Sequence, residues 1–310
     1  MRKIIVGTRQ SKLALTQTNW VIKQLEHYCE KHGLPFTFET KKLVTKGDRI
    51  LDVTLSKVGG KGLFVKEIED AMLQENIDIA VHSMKDMPFV SPDGLMIGAI
   101  PVREDARDCL VMNKGQNLDD LPEGALVGTS SLRRTAQLKL LRPDLKLESI
   151  RGNIDTRMNK ISTASFDAVV LAAAGLHRMG WKERIGLYLS TDDCIPAVGQ
   201  GALAIQCRSE DAEVKELLQY IHHQETARVV EAERAFLGKL NGGCQVPLAG
   251  YAQCHDDSTK IKMVGFVGSP DGETIYKYSL DGENGLELGE KVAQKLLDQG
   301  AEEILREFRG

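Results

Sequence analysis

The sequence predicts an α/β fold: two α/β domains joined by a double hinge, followed by a C-terminal α+β domain. Short apolar runs alternate with amphipathic segments in two separate blocks, which is the rhythm of βαβ units around a parallel or mixed sheet. Two crossing segments, 101–108 and 192–201, separate the blocks, and the apolar run after the second can rejoin the first sheet. The expected domain limits are 1–101 with 199–219, then 102–198, then 220–310.

The elements follow from periodicity and from turn residues. In the first block we expect strands over 3–8, 36–44 and 77–82 and helices over 11–33 and 63–76. In the second block we expect strands over 125–129, 146–150 and 167–172 and helices over 131–141 and 153–161. The third unit is expected to contain a helix over 224–240, three strands near 248–281 and one amphipathic helix over 285–308. In the first helix, the side chains expected near one face are Leu13, Trp20, Val21, Leu25 and Tyr28.

Composition and charge limit the class of protein. The chain has 310 residues, of which 42% are hydrophobic and 27% charged, and it has no apolar run long enough to span a bilayer. The N-terminus carries charge but no long apolar core with a cleavage site, which predicts a cytoplasmic protein without a secretory signal. The six cysteines show neither a CxxC pair nor the His/Cys spacing of zinc sites, so we expect no disulfide framework and no metal.

Four arginines follow two predicted strands of the second block. The segments GTSSLRR and SIRGNIDTR place Arg133, Arg134, Arg151 and Arg157 in or just after loops, although the chain as a whole has a net charge of -4. A guanidinium pairs two N–H donors with a carboxylate or phosphate, and helix N-termini add further donors. Any one of these arginines is equally well interpreted as part of a solvated helix face. Together they indicate a small polyanion as ligand.

A carboxylate follows a buried strand of the first block. Asp86 lies in VHSMKDMP beside Lys85 and Ser83, where it can accept N–H hydrogen bonds or stabilise a transient cation. Alone, the motif is better interpreted as an aspartate that caps a turn. Arg9 and Ser11 occupy the matching turn after the first strand, so we expect two loops of each domain to face one cleft.

Other segments carry weaker signals. KVGGKGLF lacks the spacing of a phosphate-binding P-loop, and its glycines instead predict a mobile loop from which Lys57 and Lys61 can reach an anion. His82, His222 and His223 lack partners at ligand spacing, so we expect structural or surface roles for them.

Cys244 differs from the other cysteines because it lies in NGGCQVP, a segment typical of a turn or loop. It is either an incidental thiol or a point of covalent attachment. Sequence chemistry alone leaves both interpretations open.

Nine segments, in order and covering most of the chain, resemble the porphobilinogen deaminase (hydroxymethylbilane synthase) family. They are GTRQS, KVGGKGLFVKEIE, DIAVHSMKD, GTSSLRR, RGNIDTR, LAAAGLHR, IPAVGQGA, HHQETA and GGCQVP. The resemblance implies a transferase of heme biosynthesis that joins four porphobilinogen molecules head to tail, with loss of ammonia, into hydroxymethylbilane. It implies a dipyrromethane cofactor, bound to Cys244 through a thioether as primer, and two domains similar to periplasmic binding proteins. Lys12 departs from the family pattern, since many members have proline after RQS.

The resemblance also assigns roles to matched residues. Asp86 is the expected catalytic residue, placed by the pyrrole nitrogens, where it stabilises the positive charge that forms as ammonia leaves. The expected cofactor-binding residues are Ser83, Lys85, Asp86, Thr129, Ser130, Ser131, Arg133, Arg134, Arg151, Gly152 and Cys244. The expected substrate-binding residues are Arg9, Ser11, Lys57, Lys61, Arg157, Arg178 and Gln200. Because each pyrrole carries an acetate and a propionate, the arginines match a lengthening polyanion. A monomer without nucleic-acid or membrane partners is expected.

Two other classes of protein stay open. A solute-binding module of the same fold explains the cleft and the arginines, but it needs neither Cys244 in that loop nor Asp86 at a reaction centre; an intact-mass measurement separates the two. A nucleic-acid binder needs stacking groups and a broad basic face, whereas only 5% of residues are aromatic and the net charge is negative.

Overall fold

The computed structural model describes residues 1–49, 65–113, 115–163, 166–243, 246–255 and 259–308. The strands are β1 Arg2–Arg9, β2 Phe36–Leu43, β3 Ile79–Ser83, β4 Leu95–Ala99, β5 Asp108–Met112, β6 Leu126–Gly128, β7 Lys146–Glu148, β8 Ala168–Ala172, β9 Leu187–Tyr188, β10 Leu203–Arg208, β11 Leu248–Cys254, β12 Ile261–Gly268 and β13 Ile275–Gly282. The helices are α1 Lys12–His32, α2 Lys46–Arg49, α3 Lys66–Leu73, α4 Leu132–Leu141, α5 Ile154–Thr163, α6 Ala173–Arg178, α7 Ala212–Gln219, α8 Gln224–Lys239, α9 Gly285–Asp298 and α10 Ala301–Phe308. Short 3-10 turns cover Met84–Asp86, Leu118–Asp120 and Lys182–Arg184.

The described strands form three sheets. The first has the order β2-β1-β3-β10-β4, the second β7-β6-β8-β5-β9 and the third β11-β12-β13. In each five-stranded sheet the first three strands are parallel and the fourth is antiparallel to them. The third sheet is antiparallel throughout. The predicted fold class, two α/β domains and a C-terminal α+β domain, is confirmed.

The two large sheets share one topology although their sequences show no repeat. In both, the antiparallel fourth strand follows a crossing segment: β5 comes after residues 101–107 and β10 after residues 189–202. The prediction that the run after the second crossing rejoins the first sheet is therefore confirmed, since β10 pairs with β3 and β4. The carboxyl ends of three parallel strands and the amino end of the fourth strand lie at one edge of each sheet.

The chain divides into two compact units. The first comprises residues 1–103 and 202–227, and the second comprises 104–201 and 228–310, which includes both the second and the third sheet. The predicted limits of three domains stay a prediction. Within the second unit, Ala136 and Ile195 pack against Ala249 and Phe266 of the third sheet.

Separate apolar clusters cover both faces of each large sheet, as expected for a sheet between two layers of helices. On β3, Ile79 and Val81 pack with α1 and α7, whereas Ala80 packs on the opposite face with α3. Because successive strand residues point to opposite faces, this alternation also fixes the face of His82. No helix in the described parts of the chain is long and apolar enough to cross a membrane.

Two expectations about the elements are wrong, and some elements are not predicted. Trp20 is 42% exposed, and the buried face of α1 carries Val21 and Leu25 but not the indole. The single C-terminal helix is two helices, α9 and α10, because Gly300 has a φ of 108° that no helical residue adopts. Strands β4, β5 and β9 and helix α7 lie in segments for which no element is predicted.

Candidate active site: two sheet edges that gather charged side chains

The carboxyl-terminal edge of the first sheet carries a group of charged and hydroxyl side chains. Strands β1, β2 and β3 are parallel, so the segments that follow them begin at the same edge. These segments contain Arg9, the turn with Asp48, and the turn from Ser83 to Asp86. Ligands of open α/β sheets bind at such an edge.

Asp86 ends the 3-10 turn that follows the buried strand β3. Its side chain is half-buried, and no hydrogen bond or ion pair to its carboxylate is found within the described residues. Met87 N donates to Met84 O, which closes the turn, and Met84 N donates to Ala202 O beside β10. The backbone of the loop is thus held while the Asp86 carboxylate is available to a ligand.

Arg9 is already paired with a carboxylate. Its Nη2 and Nε lie 2.5 Å and 3.1 Å from Asp48 Oδ1, and Asp48 Oδ2 accepts from Thr45 Oγ1 at 2.8 Å. Burial would raise the pKa of Asp48, but the Arg9 guanidinium and Thr45 outweigh burial and lower it. Asp48 therefore stays ionised and fixes the guanidinium that is expected to meet the substrate.

The serines of this edge have structural partners. Ser11 is the N-cap of α1, and its Oγ accepts from Ala14 N at 3.3 Å. Ser83 Oγ lies 3.2 Å from Nε2 of the buried Gln17 on the same helix. Lys85, which directly precedes Asp86 in the sequence, is half-buried. The N-terminal end of α1 is therefore tied to the β3 loop.

A buried polar chain lies behind this loop. His82 Nε2 is 3.1 Å from Gln206 Oε1, and Gln206 Nε2 donates to Glu69 Oε1 on α3 at 2.9 Å. Because Gln206 turns its oxygen to His82, the ring must donate from Nε2. Burial lowers the pKa of His82 to about 4, so the imidazole is neutral at pH 7.

The second sheet has the same kind of edge. Thr129 N donates to Glu148 O at 2.8 Å, and Ser130 Oγ donates to Ile150 O at 2.7 Å, so the loops after β6 and β7 are joined. Ser131 is the N-cap of α4, as Ser11 is of α1. The equivalent helix in each large sheet thus begins with a serine at the edge where the arginines lie.

Arg133 and Arg134 are almost completely buried, at 5% and 6% exposure, on either side of one carboxylate. Arg133 Nη1 lies 2.6 Å from Asp108 Oδ2, while Arg134 Nη2 and Nε lie 2.7 Å and 3.0 Å from Oδ1. Burial would raise the pKa of Asp108, but the two guanidiniums hold it well below its usual range. Sequence reasoning missed Asp108, because REDARD looks like a charged linker.

Arg151 and Arg157 lie in and after the loop that follows β7. The Nε of Arg151 is buried and has no hydrogen-bond partner in the described parts of the chain. Arg157 Nε donates to Gly152 O at 2.9 Å. Gly152 has a φ of 108°, and a Cβ there would lie 2.6 Å from Thr156, so this position requires glycine.

Arg178 ends α6, the helix that follows β8, and its Nη2 donates to Gly201 O at 2.7 Å. Burial lowers the pKa of Arg178 to about 10, against the opposing effect of the Glu104 carboxylate. The guanidinium is therefore protonated at pH 7, and the Glu104 carboxylate balances only part of the cost of burying its positive charge. A ligand carboxylate would balance the rest.

Gln200 is fully buried, and its Nε2 donates to Ala106 O and to Asp108 Oδ1, both at 2.8 Å. Both hydrogens of this amide are donated to protein oxygens, which favours a role in supporting Asp108 over direct contact with substrate. Lys57, Lys61 and Cys244 lie outside the described residues.

The comparisons with known proteins show the family of this chain. A family model described as "Porphobilinogen deaminase, dipyromethane cofactor binding domain" matches residues 4–216, and one described as "Porphobilinogen deaminase, C-terminal domain" matches residues 227–298. The chain belongs to the porphobilinogen deaminase family. The family membership confirms the predicted class, a transferase of tetrapyrrole biosynthesis with a dipyrromethane cofactor.

Similar chains cover this one from end to end. Porphobilinogen deaminase of Exiguobacterium sibiricum is 60% identical over 98% of this chain and 98% of its own length. The protein of that name from Halalkalibacterium halodurans is 57% identical over 100% and 98%. Among solved structures, a nutrient-binding protein from Burkholderia cenocepacia bound to methionine overlaps 72% of this chain and 93% of its own, with 14% identity and a TM-score of 0.43. The fold assignment rests on the strand order and the family, not on that overlap.

The residues present fit the family's cofactor. A dipyrromethane carries acetate and propionate groups, which need cationic and hydroxyl donors. The orphaned Nε of Arg151, the guanidinium of Arg178 and the hydroxyls of Thr129 and Ser131 supply such donors, whereas Ser130 already donates to Ile150 O.

Proposed function

We propose that this chain performs the family's reaction with the residues of these two edges and with Cys244. Each addition breaks the aminomethyl C–N bond of one porphobilinogen and joins its CH2 carbon to the free α-carbon of the preceding pyrrole. Ammonia leaves and carries off the α-hydrogen, so the step balances. Hydrolysis frees the linear tetrapyrrole hydroxymethylbilane after four additions. When bound, the dipyrromethane supplies the α-carbon for the first addition.

Asp86 carries the assignment of the catalytic centre. A half-buried carboxylate that has no partner in the described parts of the chain, next to a buried strand, stabilises a cation far better than a solvated one does. In the proposed role it accepts hydrogen bonds from pyrrole N–H groups and stabilises the positive charge on the substrate ring as ammonia departs. Lys85 beside it attracts the substrate carboxylates.

The arginines bind the acetate and propionate side chains of cofactor and substrate. Arg133, Arg134 and Arg151 serve the cofactor together with Ser83, Lys85, Thr129, Ser130, Ser131 and Gly152. Arg9, Ser11, Arg157 and Arg178, with Lys57 and Lys61, serve the substrate. We place Gln200 behind them, as a residue that supports Asp108, because its amide has no hydrogen left for a ligand.

Cys244 is the proposed attachment point because the other thiols are poor nucleophiles. Cys29, Cys109, Cys194 and Cys207 are buried, and burial raises the pKa of each, to about 12 for Cys109 and Cys194. Cys254 is half-buried within strand β11. The sequence NGGCQVP around Cys244 predicts a loop, and a thiol in a loop has the access that a thioether needs. We further propose three domains with the limits predicted above, a monomer and a cytoplasmic location.

Two variants with matched controls test this function. Cys244→Ser should fold but lack the added mass of two pyrrole rings and be inactive, whereas Cys254→Ser should carry that mass. Asp86→Asn should keep the cofactor and lose turnover by about a hundredfold, whereas Asp93→Asn, an exposed neighbour, should be unaffected. Intact-mass spectra and porphobilinogen consumption measure both. Dipyrromethane on the Cys244→Ser chain, or normal turnover of Asp86→Asn, would refute the respective assignment.

A further inference from the structure

We propose that Asp108 is a positioning residue that sets the direction of the Arg133 and Arg134 guanidiniums toward the ligand. The inference rests on the proposed ligand-binding role of those two arginines. Asp108 is fully buried and contacts both of them through separate oxygens. A single carboxylate thus holds two cations at a fixed separation.

The topology of the second sheet explains why this aspartate arrives between the arginines. Asp108 begins β5, which is antiparallel to β8, and it lies opposite Ala172, the last residue of β8. The amino end of β5 therefore reaches the edge at which β6, β7 and β8 end. Arg133 and Arg134 lie in the first turn of α4, just after β6.

The carboxylate is saturated by protein donors. Besides the arginines, Gln200 Nε2 donates to Oδ1 at 2.8 Å, and Cys194 Sγ donates to Oδ2 at 3.4 Å. A carboxylate offers about four lone-pair sites, so Asp108 has little capacity left for a ligand or a water molecule. Its function is therefore exerted through its neighbours.

The arginines keep donors that Asp108 does not use. Arg133 Nη1 gives its second hydrogen to Ile195 O at 2.8 Å, and Arg134 Nη1 donates to Val170 O at 3.0 Å. Nε and Nη2 of Arg133 have no partner among the described residues. Arg133 is thus clamped through Nη1 while its Nε and Nη2 stay available, whereas all three nitrogens of Arg134 already donate to protein oxygens and only the second hydrogens of its Nη atoms remain. Clamped donors lose less conformational entropy when a ligand carboxylate binds.

Charge gives the cluster its preference for anions. Two guanidiniums against one carboxylate leave a net charge of +1 in a buried place, and a ligand carboxylate balances it. Asp108 cannot act as a proton switch at ordinary pH, because the arginines hold its pKa well below the usual range. The cluster therefore acts as a fixed receptor for a carboxylate.

A purely structural ion bridge is the alternative, and the first unit contains a less buried example, in which Asp78 also contacts both arginines. Asp211 lies between Arg2 and Arg208, with Arg2 Nη1 at 2.9 Å from Oδ1 and Arg208 Nη2 at 3.3 Å from Oδ2. Arg2 begins β1, whereas the site residue Arg9 ends it, so this bridge lies at the other edge of its sheet. Asp211→Asn therefore removes a similar bridge away from the site.

The experiment compares Asp108→Asn with Asp211→Asn. Apoprotein is incubated with porphobilinogen, intact mass gives the fraction of chains with dipyrromethane, and circular dichroism gives the fold. We expect the loaded fraction of folded Asp108→Asn to fall about tenfold or more, and that of Asp211→Asn to stay within about twofold of wild type. In the residual loaded Asp108→Asn enzyme, KM should rise by a larger factor than kcat falls. Wild-type loading by folded Asp108→Asn would overturn the inference; an unloaded wild type would instead overturn the proposed function.

Two further tests cover the case in which Asp108→Asn does not fold. Asp108→Glu keeps the anion but displaces it by about 1.5 Å, so it should fold yet load poorly; wild-type loading would show that only charge matters. A crystal structure of the loaded wild-type protein needs no substitution. Asp108 should stay hydrogen-bonded to both guanidiniums while these contact ligand carboxylates, and a structure in which either arginine has left Asp108 would contradict the inference.

Discussion

At the scale of single residues, three arginines of the candidate site are paired with buried or half-buried acids. Asp48 holds Arg9, and Asp108 holds Arg133 and Arg134. Breaking such a pair leaves an unpaired charge, which is more costly than the net gain from forming it. These aspartates therefore fix geometry more than they add stability. The buried, uncharged imidazole of His82 instead affects how the stability of the fold depends on pH.

His82 makes stability depend on pH. Its pKa is about 4 in the folded chain and 6.5 for an ordinary histidine, so between these values only the unfolded state binds the proton. The free energy of unfolding therefore falls as the pH drops from about 6.5 to about 4, by about 3 kcal/mol in total. We expect His82→Gln to remove this slope, because a glutamine amide can donate to Gln206 Oε1 without titrating.

Urea unfolding at several pH values measures the slope. His27→Gln, at an exposed position of α1, is the control and should keep the wild-type slope. Burial raises the pKa of Glu69, so protonation of this carboxyl favours the folded state as the pH falls and opposes the effect of His82. Glu69 is present in the wild type and in both variants, so its contribution is the same in each. A His82→Gln variant with the wild-type slope would contradict the prediction.

At the scale of elements, the helix that follows the central parallel strand of each large sheet begins with a serine cap. Ser11 caps α1 and Ser131 caps α4. A capping side chain satisfies one N–H of the first turn, and the remaining donors stay directed at the edge of the sheet. Each cap thus stabilises a helix and also places a hydroxyl at the edge of its sheet.

Substitutions of Ser11 separate these two effects. Ser11→Ala should lower the free energy of unfolding by about 1 kcal/mol, since the cap is lost. Ser11→Asp should keep that stability, because aspartate also caps, but the added charge repels the substrate carboxylates and should raise KM by about tenfold or more. Denaturant unfolding and initial rates measure these effects. Asn284→Asp, at the N-cap of α9, is the control and should change neither quantity. A wild-type KM for Ser11→Asp would place Ser11 away from the substrate.

At the scale of the whole molecule, the second and third sheets belong to one compact unit. Glu233 on α8 is fully buried and joins them: its Oε2 accepts from Gly199 N at 2.6 Å and its Oε1 from Ala252 N at 2.9 Å. Gly199 lies in the crossing segment next to Gln200, which donates to Asp108. The position of the third sheet and the arginine cluster are therefore connected by a short series of hydrogen bonds.

Glu233→Gln should weaken this unit. A glutamine offers one oxygen to two backbone donors, so one N–H is left facing an NH2 group, and we expect a loss of about 2 kcal/mol in the free energy of unfolding. Calorimetry measures the change. Glu287→Gln removes an exposed carboxylate that pairs with Lys291 and should cost no more than about 0.5 kcal/mol. Equal stability of the two variants would contradict a joining role for Glu233.

The sequence by itself determined the class of fold, most of the helices and strands, and the loops in which cations and hydroxyls gather. These features depend on local patterns, such as the short apolar run of β8 or the GTSS turn before α4, which a short window of sequence contains. The resemblance in nine segments added the family. The role proposed for Asp86 also came from that resemblance, because the motif alone is better interpreted as an aspartate that caps a turn.

Only the tertiary structure decided which groups the arginines face. Asp108 is 25 and 26 positions before its two arginines, and antiparallel pairing of β5 with β8 buries it between them. The break at Gly300 follows locally from a glycine with a positive φ, whereas the exposure of Trp20 and the hydrogen bond of Gln200 to Asp108 depend on long-range packing. Local periodicity cannot reveal them, because the partner that buries or turns each residue comes from a distant part of the chain.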